Sequence, residues 1–208
     1  MCSTTGNVIG QMDLPGFAAE LEHDHRRPLK EPWPKLLDWC ERELEARGWH
    51  KDVAGDENFN LGVRAMALSE ANNLGILVGG VPGIGKTKYL EAVTAHRATK
   101  IFRLKDVIQA GWLNRYDYPE YFVEWLKQDI FIDDLGAETT VNHYGTIFEP
   151  AIDFIFSFQL RSKRRIFIST NLTGKQLVDR YNWRMDCLKE FTIPLDFKGE
   201  GLRKWKRI

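Results

Sequence analysis

Two hydrophobic rhythms alternate along this 208-residue chain. Short apolar runs predict strands: LGILVG (74–79), KIFRL (100–104), DIFIDDLG (129–136), RRIFISTNL (164–172) and FTIPLDF (191–197). Between and before them, apolar residues recur three and four apart and predict helices over 34–49, 60–73, 87–98, 104–117, 119–128, 147–162 and 174–190. Strands alternating with helices predict an α/β fold, a parallel sheet covered on both faces. Ligands of such sheets sit outside the carboxyl ends of the strands, so residues at those ends should converge. Residues 1 to about 32 carry no such rhythm and read as an arm or linker. In the helix that follows, Leu36, Leu37, Cys40, Leu44 and Trp49 lie near one face. Asp38, Glu41, Glu43 and Glu45 flank that face, which suits core packing or docking of a partner. The segment VAGDENF (53–59) reads as a loop.

Composition narrows this only a little. The 29 basic residues balance the 29 acidic ones, so any nucleic-acid contact must come from local patches. No apolar run reaches the length of a membrane span, and the first residues lack the basic start and apolar core of a secretory signal. Cys2, Cys40 and Cys187 are too scattered for a zinc knuckle or a disulfide framework. The expected setting is the reducing cytoplasm, with no membrane association. The triplet at His23, Asp24 and His25 lacks a further ligand at metal spacing and reads as exposed linker.

Candidate chemistry lies at three strand ends. GVPGIGKT (80–87) fits the phosphate-loop pattern G-x-x-x-x-G-K-[ST] between a predicted strand and a predicted helix. Gly80, Pro82, Gly83, Ile84 and Gly85 let successive backbone N–H groups face a phosphate at a helix N-terminus. Lys86 is placed to reach the β- and γ-phosphates, and the Thr87 hydroxyl to take a position on Mg²⁺. DIFIDDLG ends a buried strand in Asp133, which suits Mg²⁺, and Asp134, which suits polarisation of the attacking water. Glu138 is either a further member of that cluster or a surface loop acid. The third strand ends in Ser169, Thr170 and Asn171. An amide beside the γ-phosphate orients water without repelling the anion, although the same residues also cap helices.

The ordered set GVPGIGKT, IDDLGAE, ISTNLT, LVDRYNWRM and FKGEGLRK resembles the AAA+ ATPases. More narrowly it resembles the DnaC-like helicase loaders and the IstB-like transposition helpers, over about residues 59–204. The resemblance implies a three-layer P-loop NTPase fold with a parallel five-stranded sheet, no C-terminal helical lid and a short N-terminal helical arm. It divides the chain into an arm (1–55) with a possible partner-binding role and an ATPase domain (56–208). The implied cofactors are ATP and Mg²⁺, with Asp133 on the metal and Asp134 activating water. Asn171 becomes a first sensor and Arg203 a second, nucleotide-binding one. The implied partners are a replicative helicase or a transposase, single-stranded DNA, and further copies of the chain in a nucleotide-dependent assembly. One departure concerns the arginine that reaches a neighbour's γ-phosphate. The pattern YGxRxxSRL becomes YNWRMDCLK, with Cys187 and Leu188 in place of Ser-Arg, and Arg184 is the expected substitute, with Arg180 nearby.

RSKRR (161–165) and RKWKR (203–207) offer cations beside an aromatic residue, the chemistry of single-strand binding. Basic residues also favour helix C-termini and keep chain ends soluble. GWLNRYDYPEYFVEW (111–125) is a third candidate, or satellite core under a loop. The expected function is that of an ATP-hydrolysing DnaC-like helicase loader. Its alternatives are a transposition helper and an ATP-gated scaffold with little turnover. A small-molecule kinase fits less well, because no arginine-rich lid segment follows ISTNL.

Overall fold

The structure is a computed structural model that describes residues 29–95, 100–103, 126–137, 155–156, 159, 162–181 and 184–200. The helix expected over 104–117, and most of those over 119–128 and 147–162, lie outside the described residues.

Five strands form one parallel sheet: β1 (Gly75–Gly80), β2 (Lys100–Arg103), β3 (Ile130–Leu135), β4 (Ile166–Thr170) and β5 (Thr192–Phe197), in the order β2-β3-β4-β1-β5. The buried strands read as near-continuous apolar runs because side chains of both parities are covered, as in parallel sheets generally. Ile76, Val78, Phe131, Phe167, Ile193, Leu195 and Phe197 point to one core. The alternate residues Leu77, Ile130, Ile132, Ile166 and Ile168 point to the other. The first core is closed by α1 (Pro34–Ala46), α2 (Lys51–Ala54), α3 (Asp56–Asn72) and α4 (Lys86–Thr94). The second is closed in part by Leu177 and Tyr181 of α5 (Gly174–Tyr181) and by Met185 and Leu188 of α6 (Arg184–Phe191). The expected α/β three-layer architecture is present.

Two element boundaries differ from the periodicity. Part of the expected loop 53–59 is helical: α2 stops at Gly55, whose φ is 77°, and α3 begins at Asp56, four residues before the first expected position. Asp56 and Glu57 in the first turn of α3 complement the positive end of the helix dipole, a start signal that the apolar rhythm alone does not carry. The helix expected over 174–190 is described as two, α5 and α6.

The apolar face of α1 packs into the first core. Cys40, Leu44 and Trp49 are fully buried there, and burial pushes the Cys40 thiol up to about 12. Trp49, just beyond α1, stacks on Phe197 with centroids 5.4 Å apart, and Tyr89 of α4 meets both rings. Tyr89 also donates its hydroxyl to the Gly62 carbonyl of α3, 2.8 Å away. This aromatic trio joins the N-terminal helix, α4 and β5. Truncating its largest member leaves a cavity that the ordered neighbours cannot fill. Trp49→Ala is therefore expected to lower unfolding stability by about 3–5 kcal/mol, measured by urea unfolding.

Asn72 fastens the chain ahead of α1: its amide accepts from Lys30 N–H at 2.7 Å and donates to the Lys30 carbonyl at 3.0 Å. At the amino edge of the sheet, Arg165 is buried in ion pairs with Glu70 at 3.2 Å and Asp129 at 3.4 Å. Arg165 belongs to the basic run 161–165, so that run offers fewer exposed cations than its sequence suggests. Lys163 and Arg164 are exposed, at the edge opposite the carboxyl ends of the strands. The runs 203–207 and 111–125 lie outside the described residues.

Candidate functional site

β1 enters a glycine-rich loop that turns into α4. The loop must pass close to its neighbours. A Cβ on Gly80 (φ 129°) would sit 2.7 Å from the Phe197 carbonyl oxygen, and one on Gly85 (φ 101°) would sit 2.9 Å from the Trp49 ring. Glycine meets both demands, the positive φ and the close approach. Ile84, 3% exposed, anchors the loop in the core, while Val81 and Pro82 face outward. Gly85 caps α4, so the unpaired N–H groups of the first helical turn open on the loop.

Lys86 returns across the loop. Its ammonium donates to the carbonyls of Gly80 at 2.7 Å and Val81 at 2.9 Å, and to Asn171 Oδ1 at 2.7 Å. Burial pulls its pKa below the ordinary lysine value, while Asp134, Asp196 and Asp133 oppose that shift by their charge. Asp196 of β5 responds in kind: burial raises its carboxyl, against the pull of Lys198 and Lys86.

The strand ends meet beside this lysine because β4 lies between β1 and β3. Thr87 Oγ1 donates to Asp133 Oδ1 at 2.8 Å, and Ser169 Oγ donates to the same oxygen at 2.8 Å. Asn171 completes a chain from Lys86 to the second acid, its Nδ2 donating to Asp134 Oδ1 at 2.8 Å. The carboxyl ends of β3 and β4 are further tied together. Thr170 donates to the Leu135 carbonyl at 2.7 Å, and Arg180 of α5 donates to the Gly136 carbonyl at 3.3 Å. Together these groups form an open cradle of backbone N–H groups and one buried cation, faced by two carboxylates and an amide. Such a cradle suits a multiply charged anion carrying a hard cation.

The AAA+ P-loop ATPase fold supplies this arrangement of strands, and comparison with solved structures identifies it. A crystal structure of the DnaC helicase loader superposes with a TM-score of 0.55 at 20% identity, covering 67% of this chain and 89% of that one. The chain shares the fold of the DnaC helicase loader. AMPPCP-bound DnaA from Aquifex aeolicus superposes at TM-score 0.53 and 14% identity, over 71% of this chain. A DnaA replication initiator bound to AMPPCP and single-stranded DNA also gives 0.53, at 15% identity over 71% of this chain. Each match spans 47% of the DnaA chain. No protein-family model and no curated protein matches the sequence.

Within this DnaC-type fold, Gly80, Pro82, Gly83, Ile84, Gly85, Lys86, Thr87, Asp133, Asp134 and Asn171 all lie at one end of the sheet, as the strand order requires. Arg203 and Glu138 lie outside the described residues. Arg184 opens α6, and its side chain lies outside them too. Two contributors escaped the sequence reading. Ser169 is distinguished from its neighbours only by the register of β3 on β4, and Trp49 supports the loop from a helix remote in sequence. Nothing in a linear pattern marks either one.

Proposed function

We propose that this protein binds ATP with Mg²⁺ and hydrolyses it as a DnaC-like helicase loader. The observation that carries the reading is the convergence of Lys86, Thr87, Asp133, Asp134 and Asn171 at the carboxyl ends of β1, β3 and β4 in an AAA+ fold. The N–H groups of the loop and of the first turn of α4 hold the phosphates. Lys86, already desolvated, exchanges carbonyl acceptors for phosphate oxygens.

The donor set fits Mg²⁺. Thr87 Oγ1 and Asp133 Oδ1 are hard oxygens 2.8 Å apart, and no cluster of three or more His, Cys, Asp or Glu among the described residues holds a metal alone. A site of this kind depends on the phosphates of the nucleotide for its remaining ligands, the usual state of protein-bound Mg²⁺. When bound there, the ion bridges phosphate oxygens and neutralises developing charge. Asp134 accepts the proton of the attacking water, and Asn171 fixes the carboxylate through its Nδ2. Arg184 from a neighbouring copy, and Arg203 in the same chain, supply the remaining positive charge.

The proposed partners are a replicative helicase and single-stranded DNA, in the cytoplasm, and likeness to the DnaC loader and to DNA-bound DnaA supports them. A transposase is the rival partner. No helix of the described residues is long and apolar enough to cross a membrane. The deciding assay is ATP hydrolysis with and without single-stranded DNA at several protein concentrations. Stimulation by DNA, with specific activity rising with concentration, is expected. A low rate indifferent to both would overturn self-assembly on DNA and favour an ATP-gated scaffold. That second reading has its own support in the Lys86–Asn171–Asp134 chain of hydrogen bonds, which engages both ends of the Asn171 amide.

A further inference from the structure

The two acids of β3 do not sit in a regular ladder. Ile132 pairs with Ile168 and Leu135 with Thr170, so three steps along β3 match two along β4. One extra residue is accommodated, and Asp133 and Asp134 together oppose the single residue Ser169. This is a β-bulge, a device that bends a strand and re-aims its side chains at the cost of a ladder bond. Asp134 takes up the bend with φ 58°, a left-handed conformation that few residues other than Gly, Asn and Asp adopt.

A bulge leaves a backbone donor to be satisfied, and Ser169 satisfies it. The side chain is fully buried. Its Oγ accepts the Asp134 N–H at 2.8 Å and donates its own proton to Asp133 Oδ1 at 2.8 Å. One hydroxyl thus fixes the backbone of one acid and the carboxylate of the other. Asp133 Oδ1 also receives Thr87, so Ser169 and Thr87 hold that oxygen from two sides.

We propose that Ser169 is a positioning residue for the metal–triphosphate site, setting the direction of the Asp133 carboxylate and pinning the bulge that turns Asp134 toward the phosphate cradle. The proposal rests on reading the site as one for a magnesium-bound triphosphate. It assigns a distinct task to each polar residue of the strand end. Ser169 orders the acids, Thr170 ties Leu135 and caps the following turn through Leu172 N–H at 3.1 Å, and Asn171 faces the cradle.

The test is equilibrium binding of a fluorescent ATP analogue to the full-length chain, first in EDTA and then in Mg²⁺. The wild type is expected to bind more tightly with Mg²⁺. Ser169→Ala is expected to lose about tenfold of that gain, the size of a hydrogen bond to a charged group, while binding in EDTA changes less than about twofold. A purely structural serine would weaken both affinities together or neither, and either result overturns the proposal. If the alanine variant fails to fold, Ser169→Cys keeps the volume with a weak donor and acceptor and is read in the same way. A wild type with no Mg²⁺-dependent gain overturns the triphosphate reading of the site itself, and the Ser169 assignment with it. That outcome is recognised before any variant is compared.

Discussion

Replacing Asp134 with Asn is expected to lower ATP turnover by about 10²–10⁴-fold, the range of a lost general base, with nucleotide affinity changed no more than a few-fold. The fold should tolerate the change. Asn is among the few residues at ease with the positive φ of this position, and its backbone N–H still meets Ser169. Its side-chain oxygen still accepts from Asn171 Nδ2. Only the basicity is removed. Multiple-turnover hydrolysis and equilibrium binding on the same preparation check both halves. Full activity in this variant would assign water activation to another group, and loss of binding would place Asp134 in the nucleotide's grip instead.

A second large effect is expected at Lys86, where function and stability pull in opposite directions. Lys86→Met should weaken ATP binding by at least about 100-fold, because charge-assisted contacts to phosphate are each worth about 1.5–3 kcal/mol. The same change should leave thermal stability unchanged or raise it, since the net effect of the site on Lys86 is to disfavour its charge. The sign follows from linkage. A lysine whose folded pKa lies below its unfolded value costs the folded state stability at every pH below the folded pKa, and that cost is relieved as pH rises toward the ordinary 10.5. The gain in melting temperature of the methionine variant should therefore be full at neutral pH and shrink on the alkaline side. Thermal unfolding at pH 7 and at about pH 10 tests this, with 10 chosen just under the ordinary lysine range. A marked loss of stability at pH 7 would mean that the three hydrogen bonds of the ammonium outweigh its desolvation.

These two residues were legible because their signals are local. A phosphate loop is a run of eight residues, and a strand of Ile, Phe and Ile ending in Asp133 and Asp134 declares both its burial and where it stops. The start of α3 was less legible, since Gly55 and the acids after it give no apolar rhythm. Arg165 misled. Its place in a basic run suggests a solvated cation, whereas the packing of α3 against the amino ends of β3 and β4 brings Glu70 and Asp129 to it. Counting charges along the chain cannot foresee which of them fold inward against a partner distant in sequence.

Hydrophobic periodicity and short-range steric rules are properties of neighbouring residues, so the sequence by itself determined the alternation of strands and helices, the parallel sheet and the residues at its carboxyl ends. What tertiary structure decided depends on register and on contacts across long stretches of chain. A one-residue slip between β3 and β4 puts Ser169 opposite two acids and turns Asp134 through a left-handed bend. The packing of α1 brings Trp49 under Gly85, so that a helix from the N-terminal segment helps to shape the loop. The strand order places Asn171 between Lys86 and Asp134. Hydrogen bonds and close contacts act over a few ångströms, and only the completed fold brings those groups within that range.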